Sequence, residues 1–486
     1  MNRCDFLAKL CLGTMIFVVF VVNASIIAND GQISIFNGTI VLGCPTDCCI
    51  TINVLSNNPL QAYFEYGTQS GVYHDWTATS IIEPGVPFED VIAYLQPNTR
   101  YYYRMRYRRP GTNEFAEGQE YTFHTQRLPG STFTFGVQGD SHPERDKKAF
   151  DEELYDLTLR TALSDRPDFY IMMGDDFSVD TIKPDVINAD LVAERYLLQR
   201  HYLSVLSHST PLYLVNGNHE QAAGYLLDGT PDNVAVWAQN TRNLYYPQPA
   251  PGCFYTGNAE RIEFIGLLRD YFAWTWGDAL FVIIDLFWPS SVPVDNVYGV
   301  DKNTGGGNKT SDKWLITHGD AQYRWLKQTL EDSEARWKFV FAHHVNGTGR
   351  GGVEVAHLYE WGGENKDGTW GFSERRPGWE LPIHQLMVEH GVTIFFQGHD
   401  HVFARQELDG VTYLTTPYPA DPHYAADKAS HFTSGDVLPG SGYTRVTVSD
   451  AFVRIEYVRT FLPEHENETQ VSGQVAYTHT LTTPER

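Results

Sequence analysis

The chain has 486 residues, enough for two or more domains and a large buried core. Its composition is that of an ordinary globular protein, with aromatic residues on the high side at 14%. A formal net charge of -24 argues against binding nucleic acid through phosphate contacts, whereas a local cluster of cations could still hold a small anionic substrate.

At the N-terminus, Arg3 and Lys9 precede an apolar run from Leu10 to Val22, and Val22-Asn23-Ala24 offers a cleavage site. Residues 1–24 therefore read as a secretory signal peptide, too short to span a membrane comfortably; an uncleaved signal anchor is the alternative. Cleavage after Ala24 removes Cys4 and Cys11 and sends Cys44, Cys48, Cys49 and Cys253 to an oxidising compartment. There "CPTDCC" points to disulfide chemistry rather than a zinc knuckle, because no second cysteine pair or nearby histidine completes a tetrahedral set. Asn37, Asn308, Asn346 and Asn467 lie in N-x-[ST] sequons.

Residues 31–126 consist of short alternating or β-branched runs, such as "CITINVL", "AYFEYGT" and "RYYYRMRYR", separated by turn residues. They predict an all-β sandwich of the immunoglobulin or fibronectin type III kind, and "TQRLPGS" reads as a linker. From Thr132 strands alternate with amphipathic helices, the pattern of an α/β layered domain over 132–460. Phe150, Leu154 and Leu157 share one helical face, as do Leu191, Leu198, Tyr202 and Val205. Segment 221–335 reads mainly as surface loops, with a β pair around "YFAWTWGDALFVIID" and a helix around "DAQYRWLKQTLEDSE". "YTRVTVSDAFVRIEYV" predicts a hairpin, and 461–486 a C-terminal tail.

Five apolar runs end in polar clusters. "FTFGVQGDSH" ends in Asp140 and His142, "DFYIMMGDD" in Asp175 and Asp176, and "PLYLVNGNHE" in Asn218, His219 and Glu220. "WKFVFAHH" ends in His343 and His344, and "VTIFFQGHDH" in His399 and His401. Carboxyl ends of strands in α/β sheets converge on the ligand crevice, so these distant clusters are expected to meet. Carboxylates, imidazoles and an amide suit zinc, iron or manganese. The donors exceed what one zinc needs, which favours two cations about 3.5–4 Å apart with a shared carboxylate. The alternatives are weaker: "GTGRGG" has no first βαβ unit to open, and no G-x-S-x-G elbow occurs.

In order, the blocks D-x-H, GD, GNHE, H and GHxH resemble those of the calcineurin-like metallophosphoesterase superfamily. With a fibronectin-like domain in front, the arrangement is most similar to purple acid phosphatases and related secreted phosphatases. The resemblance implies a four-layer α/β/β/α sandwich and two transition metal ions (iron, zinc or manganese). It places Asp140, His142 and His401 on one metal, Asn218, His343 and His399 on the other, and Asp175 between them. A shared water would attack phosphorus while His219 stabilises the phosphoryl oxygens and protonates the leaving group, with Glu220 as its orienting partner. His344 and Arg350 would touch substrate. One departure stands out: purple acid phosphatases carry GDxxY, whose tyrosine binds ferric iron, and "GDDFS" has Ser178 there. A purple chromophore and an iron assignment are both put in doubt.

The expected function is thus a secreted (extracellular or periplasmic) phosphoesterase acting on small phosphate monoesters, with no nucleic-acid partner and no membrane span after cleavage. The alternatives are a phosphodiesterase acting on nucleotides or lipid head groups, and a secreted binding protein with a structural metal site.

Overall fold

A computed structural model describes residues 35–295, 310–347 and 349–482, so the expected leader and the Asn308 sequon lie outside the described residues. At the N-terminal end, strands Gly38–Gly43, Cys49–Ser56 and Phe88–Ala93 form an antiparallel sheet. A second antiparallel sheet is centred on Leu60–Gly67 and Arg100–Arg108. Period-two alternation in "RYYYRMRYR" sends Tyr101, Tyr103, Met105 and Tyr107 into the core. The intervening arginines face outward, where Arg104 and Arg106 meet Glu65 and Glu117.

Two larger sheets follow. The first has the strand order Leu212–Leu214, Tyr170–Met172, Phe133–Gln138, Gly442–Val448, Phe452–Arg459, Gln474–Thr482. The second contains Phe272–Trp276, Ala279–Ile283, Trp337–Phe341, Ile394–Gln397, Val411–Thr415 and Phe403–Leu408 as neighbours. They pack face to face through Phe135, Ile171, Tyr213, Trp274, Phe281, Phe339 and Phe396. Helices Glu152–Ser164, Ala189–Ser207 and Val234–Tyr245 cover the outer face of the first sheet. Helices Gly319–Glu331 and Ile383–Glu389 cover the second. This is the four-layer α/β/β/α sandwich, preceded by a β-sandwich.

Central strands are apolar on both faces because each faces a helix layer and a sheet layer. Tyr170 and Met172 point to the helices, while Ile171 and Met173 point to the opposing sheet.

Several expectations need adjustment. Residues 461–486 hold the strand Gln474–Thr482, which pairs antiparallel with Phe452–Arg459 as the edge of the first sheet. Segment 221–335 contains the expected β pair and helix, and also the helix Val234–Tyr245, whose Val234, Ala235 and Ala238 are buried. On Ala189–Ser207 the buried stripe is Val192, Tyr196, Gln199, Arg200, Leu203 and Leu206; Leu191, Leu198, Tyr202 and Val205 are only partly covered. The stripe is rotated because Arg200 docks onto the N-terminal β-sandwich, donating to Thr39 Oγ1 (2.7 Å) and the carbonyl of Asn53 (3.0 Å).

Candidate metal centre

Phe133–Gln138, Tyr170–Met172 and Leu212–Leu214 run parallel in one sheet, and Trp337–Phe341 and Ile394–Gln397 run parallel in the other. Their carboxyl ends open at the same edge, and the five polar clusters meet there. The backbone turns sharply to bring them in. His142 (φ 48°), Asp175 (φ 54°), His399 (φ 70°) and His401 (φ 58°) all lie in the left-handed region. Each such non-glycine residue costs about 1–3 kcal/mol, strain that collects where function constrains the chain. The loops also touch: a Cβ on Gly217 would lie 2.2 Å from the Asp175 backbone nitrogen and 2.4 Å from Asp175 Oδ1. Only glycine fits that approach.

Donor atoms gather at two foci. Asp140, His142 and His401 offer ligand atoms within 4.8 Å of one another, with His401 Nε2 2.9 Å from Asp140 Oδ2. At the second focus, His343 Nε2 lies 3.0 Å from Asp175 Oδ2 and 3.1 Å from Asn218 Oδ1. His399 Nδ1 is 4.0 Å from that same Asp175 oxygen. Asp140, Asp175 and His343 also fall within 4.8 Å, so Asp175 sits between the foci.

These donors fit a transition metal ion. His343 Nδ1 donates to the carbonyl of Met173 at 2.7 Å, which fixes its tautomer and leaves the Nε2 lone pair facing two oxygen acceptors. Three lone-pair donors converging in a buried place need a cation or a proton between them. His142 Nε2 is buried without a hydrogen-bond partner among the described residues, and its Nδ1 lies 3.3 Å from Glu144 Oε1. A carboxylate behind an imidazole whose other nitrogen is open is the usual support of a metal-binding histidine.

The electrostatics agree. Burial opposes ionisation of Asp140, yet His401 and His343 outweigh it and hold that carboxyl well below its ordinary range. Asp175 behaves alike, with His343 and His219 overcoming burial. Burial also opposes charging of His343, but Asp175 and Asp140 push it up to about 10. Asp140 and Asp175 are therefore held ionised by imidazoles that face them, a role that a bound cation could take over.

His219 borders both foci: it offers a nitrogen within 4.8 Å of donors on His142 and Asp175, its Nε2 lying 3.9 Å from Asp175 Oδ2. Its Nδ1 is 2.7 Å from Asp180 Oδ1, its backbone N–H donates to Asp175 Oδ1 (2.8 Å), and its Nε2 is turned toward the cleft, 3.3 Å from an Arg145 nitrogen. Burial lowers the His219 pKa, but Asp175 and Asp180 raise it above the ordinary value.

Asp180, and not Glu220, is the partner of His219. Glu220 instead accepts from the backbone N–H of Asp176 (2.6 Å) and of Gly217 (3.0 Å), tying two ligand loops together; burial and Asp175 raise it to about 8. Asp176 is buried, and burial next to Glu220 and Asp140 holds its carboxyl far above the usual range. His344 is 3% exposed, its ring centroid 3.9 Å from that of His399, and it offers a nitrogen within 4.8 Å of donors on His343 and His399, so it borders the second focus. Arg350 donates to the carbonyl of His399 (2.6 Å) and pairs with Asp400 (3.0 Å), which braces the His399 loop. Sequence reading passed over Glu144, Arg145 and Asp180, all charged residues close in sequence to the D-x-H or GD block.

The chain is similar in fold to proteins of known structure. A structure of PhoD aligns with 13% identity and a TM-score of 0.60, covering 91% of this chain and 90% of that one. Purple acid phosphatase PPD1 from seeds of yellow lupin (Lupinus luteus) aligns with 15% identity and a TM-score of 0.56, covering 92% and 74%. No curated protein sequence matches the chain. Residues 133–403, more than half of the chain, match the profile described as Calcineurin-like phosphoesterase. All five polar clusters fall within that match, and the chain belongs to the calcineurin-like phosphoesterase family.

Proposed function

We propose that this metallophosphoesterase-type hydrolase cleaves small phosphate monoesters at a two-cation centre. Asp140, His142 and His401 would hold one cation and Asn218, His343 and His399 the other, with Asp175 shared. The convergence of His343 Nε2, Asp175 Oδ2 and Asn218 Oδ1 carries this reading.

Bound cations neutralise phosphoryl charge and make a water acidic enough to react near neutral pH. The chain's own residues do the rest. Asp180 holds the His219 ring so that Nε2 faces the cleft, and its charge favours the protonated imidazole. As water adds to phosphorus and the ester P–O bond breaks, the Nε2 proton passes to the departing oxygen. Met173 and Glu144 keep the ligand imidazoles in the tautomers that leave a nitrogen open. Zinc, iron and manganese all suit this donor set. Export of the protein through residues 1–24 belongs to the same proposal.

The test is hydrolysis of 4-nitrophenyl phosphate before chelation, after it, and after return of each metal. Activity should vanish on chelation, return with metal, and be lost in Asp175→Ala and His399→Ala. Full activity in either variant contradicts the assignment.

A further inference from the structure

Arg145 is a cation in the centre that neither metal binding nor proton transfer uses. It closes the turn Pro143–Arg145, directly after His142. One terminal nitrogen donates to Ser178 Oγ at 3.2 Å and lies 3.3 Å from His219 Nε2. Its Nε is 3.4 Å from Glu144 Oε1, a longer contact than Glu144 makes with the His142 ring. Its other terminal nitrogen makes no hydrogen bond among the described residues, and 28% of the side chain is exposed.

Two features make this a built position. Ser178 Oγ is 3.2 Å from both Arg145 and His142 Nδ1, so a larger side chain along that bond would collide with one of them. The short side chain at 178 therefore makes room for the guanidinium. Moreover, Asp180 occupies His219 Nδ1, which leaves Nε2 and the guanidinium side by side at the cleft. A guanidinium and an imidazole nitrogen set side by side at the cleft offer adjacent hydrogen-bonding positions to a single anion. A tetrahedral phosphoryl group, with several oxygens spaced to meet both, is such an anion.

We propose that Arg145, acting beside His219, is a specificity-determining clamp for the terminal, doubly charged phosphoryl group of a monoester. This rests on the phosphoesterase reading above. A monoester brings three unesterified oxygens and close to two negative charges. A diester brings two oxygens and one charge, and its second substituent must lie where the clamp donors point. The guanidinium therefore favours the monoester in both charge and shape.

Arg145→Gln and Arg145→Lys, each loaded with metal and its metal content measured, are compared with wild type on 4-nitrophenyl phosphate and bis(4-nitrophenyl) phosphate. Binding of inorganic phosphate is measured by calorimetry on the same samples. In Arg145→Gln, kcat/KM for the monoester should fall by about 10²-fold, the scale of a lost transition-state donor, and at least tenfold more than for the diester. Phosphate affinity should weaken by about tenfold or more, with Arg145→Lys intermediate. Equal losses on the two esters with unchanged phosphate affinity would assign Arg145 to positioning His219 and overturn the clamp. If wild type hydrolyses neither ester, the phosphoesterase reading fails. The phosphate titration then decides alone: weaker binding in both variants supports the clamp, and unchanged binding overturns it.

Discussion

Asp180 shows what single side chains contribute. Its carboxylate sits 2.7 Å from His219 Nδ1, so it sets both the ring's orientation and its charge. In the proton-donor role proposed for it, His219 must be protonated, and activity would be lost as pH rises through its pKa. Asp175 and Asp180 raise that pKa. Asp180→Asn should therefore move the alkaline limb of kcat to lower pH and lower kcat by about 10- to 100-fold, with bound metal unchanged. An unshifted limb would remove Asp180 from this role. The candidate metal donors are legible in sequence because each stands at the end of an apolar strand within a short block. Asp180 was not, since its pairing with a residue 39 positions away depends on how one loop folds over another. The assignment of His219's partner to Glu220 failed for a related reason: adjacency along the chain pointed to Glu220, while its side chain turns back to two backbone N–H groups.

Among elements, the contact between the GDD and GNHE loops is the narrowest tolerance. A methyl group on Gly217 meets backbone and carboxylate atoms of Asp175, neither of which can withdraw without moving the carboxylate proposed to bridge the cations. Gly217→Ala is expected to lower stability by about 1–3 kcal/mol and to reduce metal content, read by thermal unfolding and elemental analysis of the same sample. Normal metal content would show that the loops can part. Strand identity and order were readable from apolar runs with polar ends. Helical faces were less so, because Arg200 and Gln199 are polar residues on a buried face, and a search for apolar periodicity skips them.

For the whole molecule, the β-sandwich is tied to the layered domain by that same Arg200. Its guanidinium is fully buried, donates to Thr39, Asn53 and the Tyr245 carbonyl, and is held down to about 10 by burial. Arg200→Ala leaves buried carbonyls without donors, so unfolding should be easier by about 3 kcal/mol in urea. A change below about 0.5 kcal/mol would mean that water replaces the guanidinium and that the junction is wet. The four-layer architecture follows from strands apolar on both faces. The edge strand Gln474–Thr482 was hidden because alternating threonines give it no apolar run, and its place comes only from pairing with Phe452–Arg459.

The centre itself is tested most directly by counting its metals. Elemental analysis of reconstituted protein should find two ions per chain, one in His401→Ala, one in His343→Ala, and neither held tightly in Asp175→Ala. Two ions retained in all three variants would contradict the centre described here.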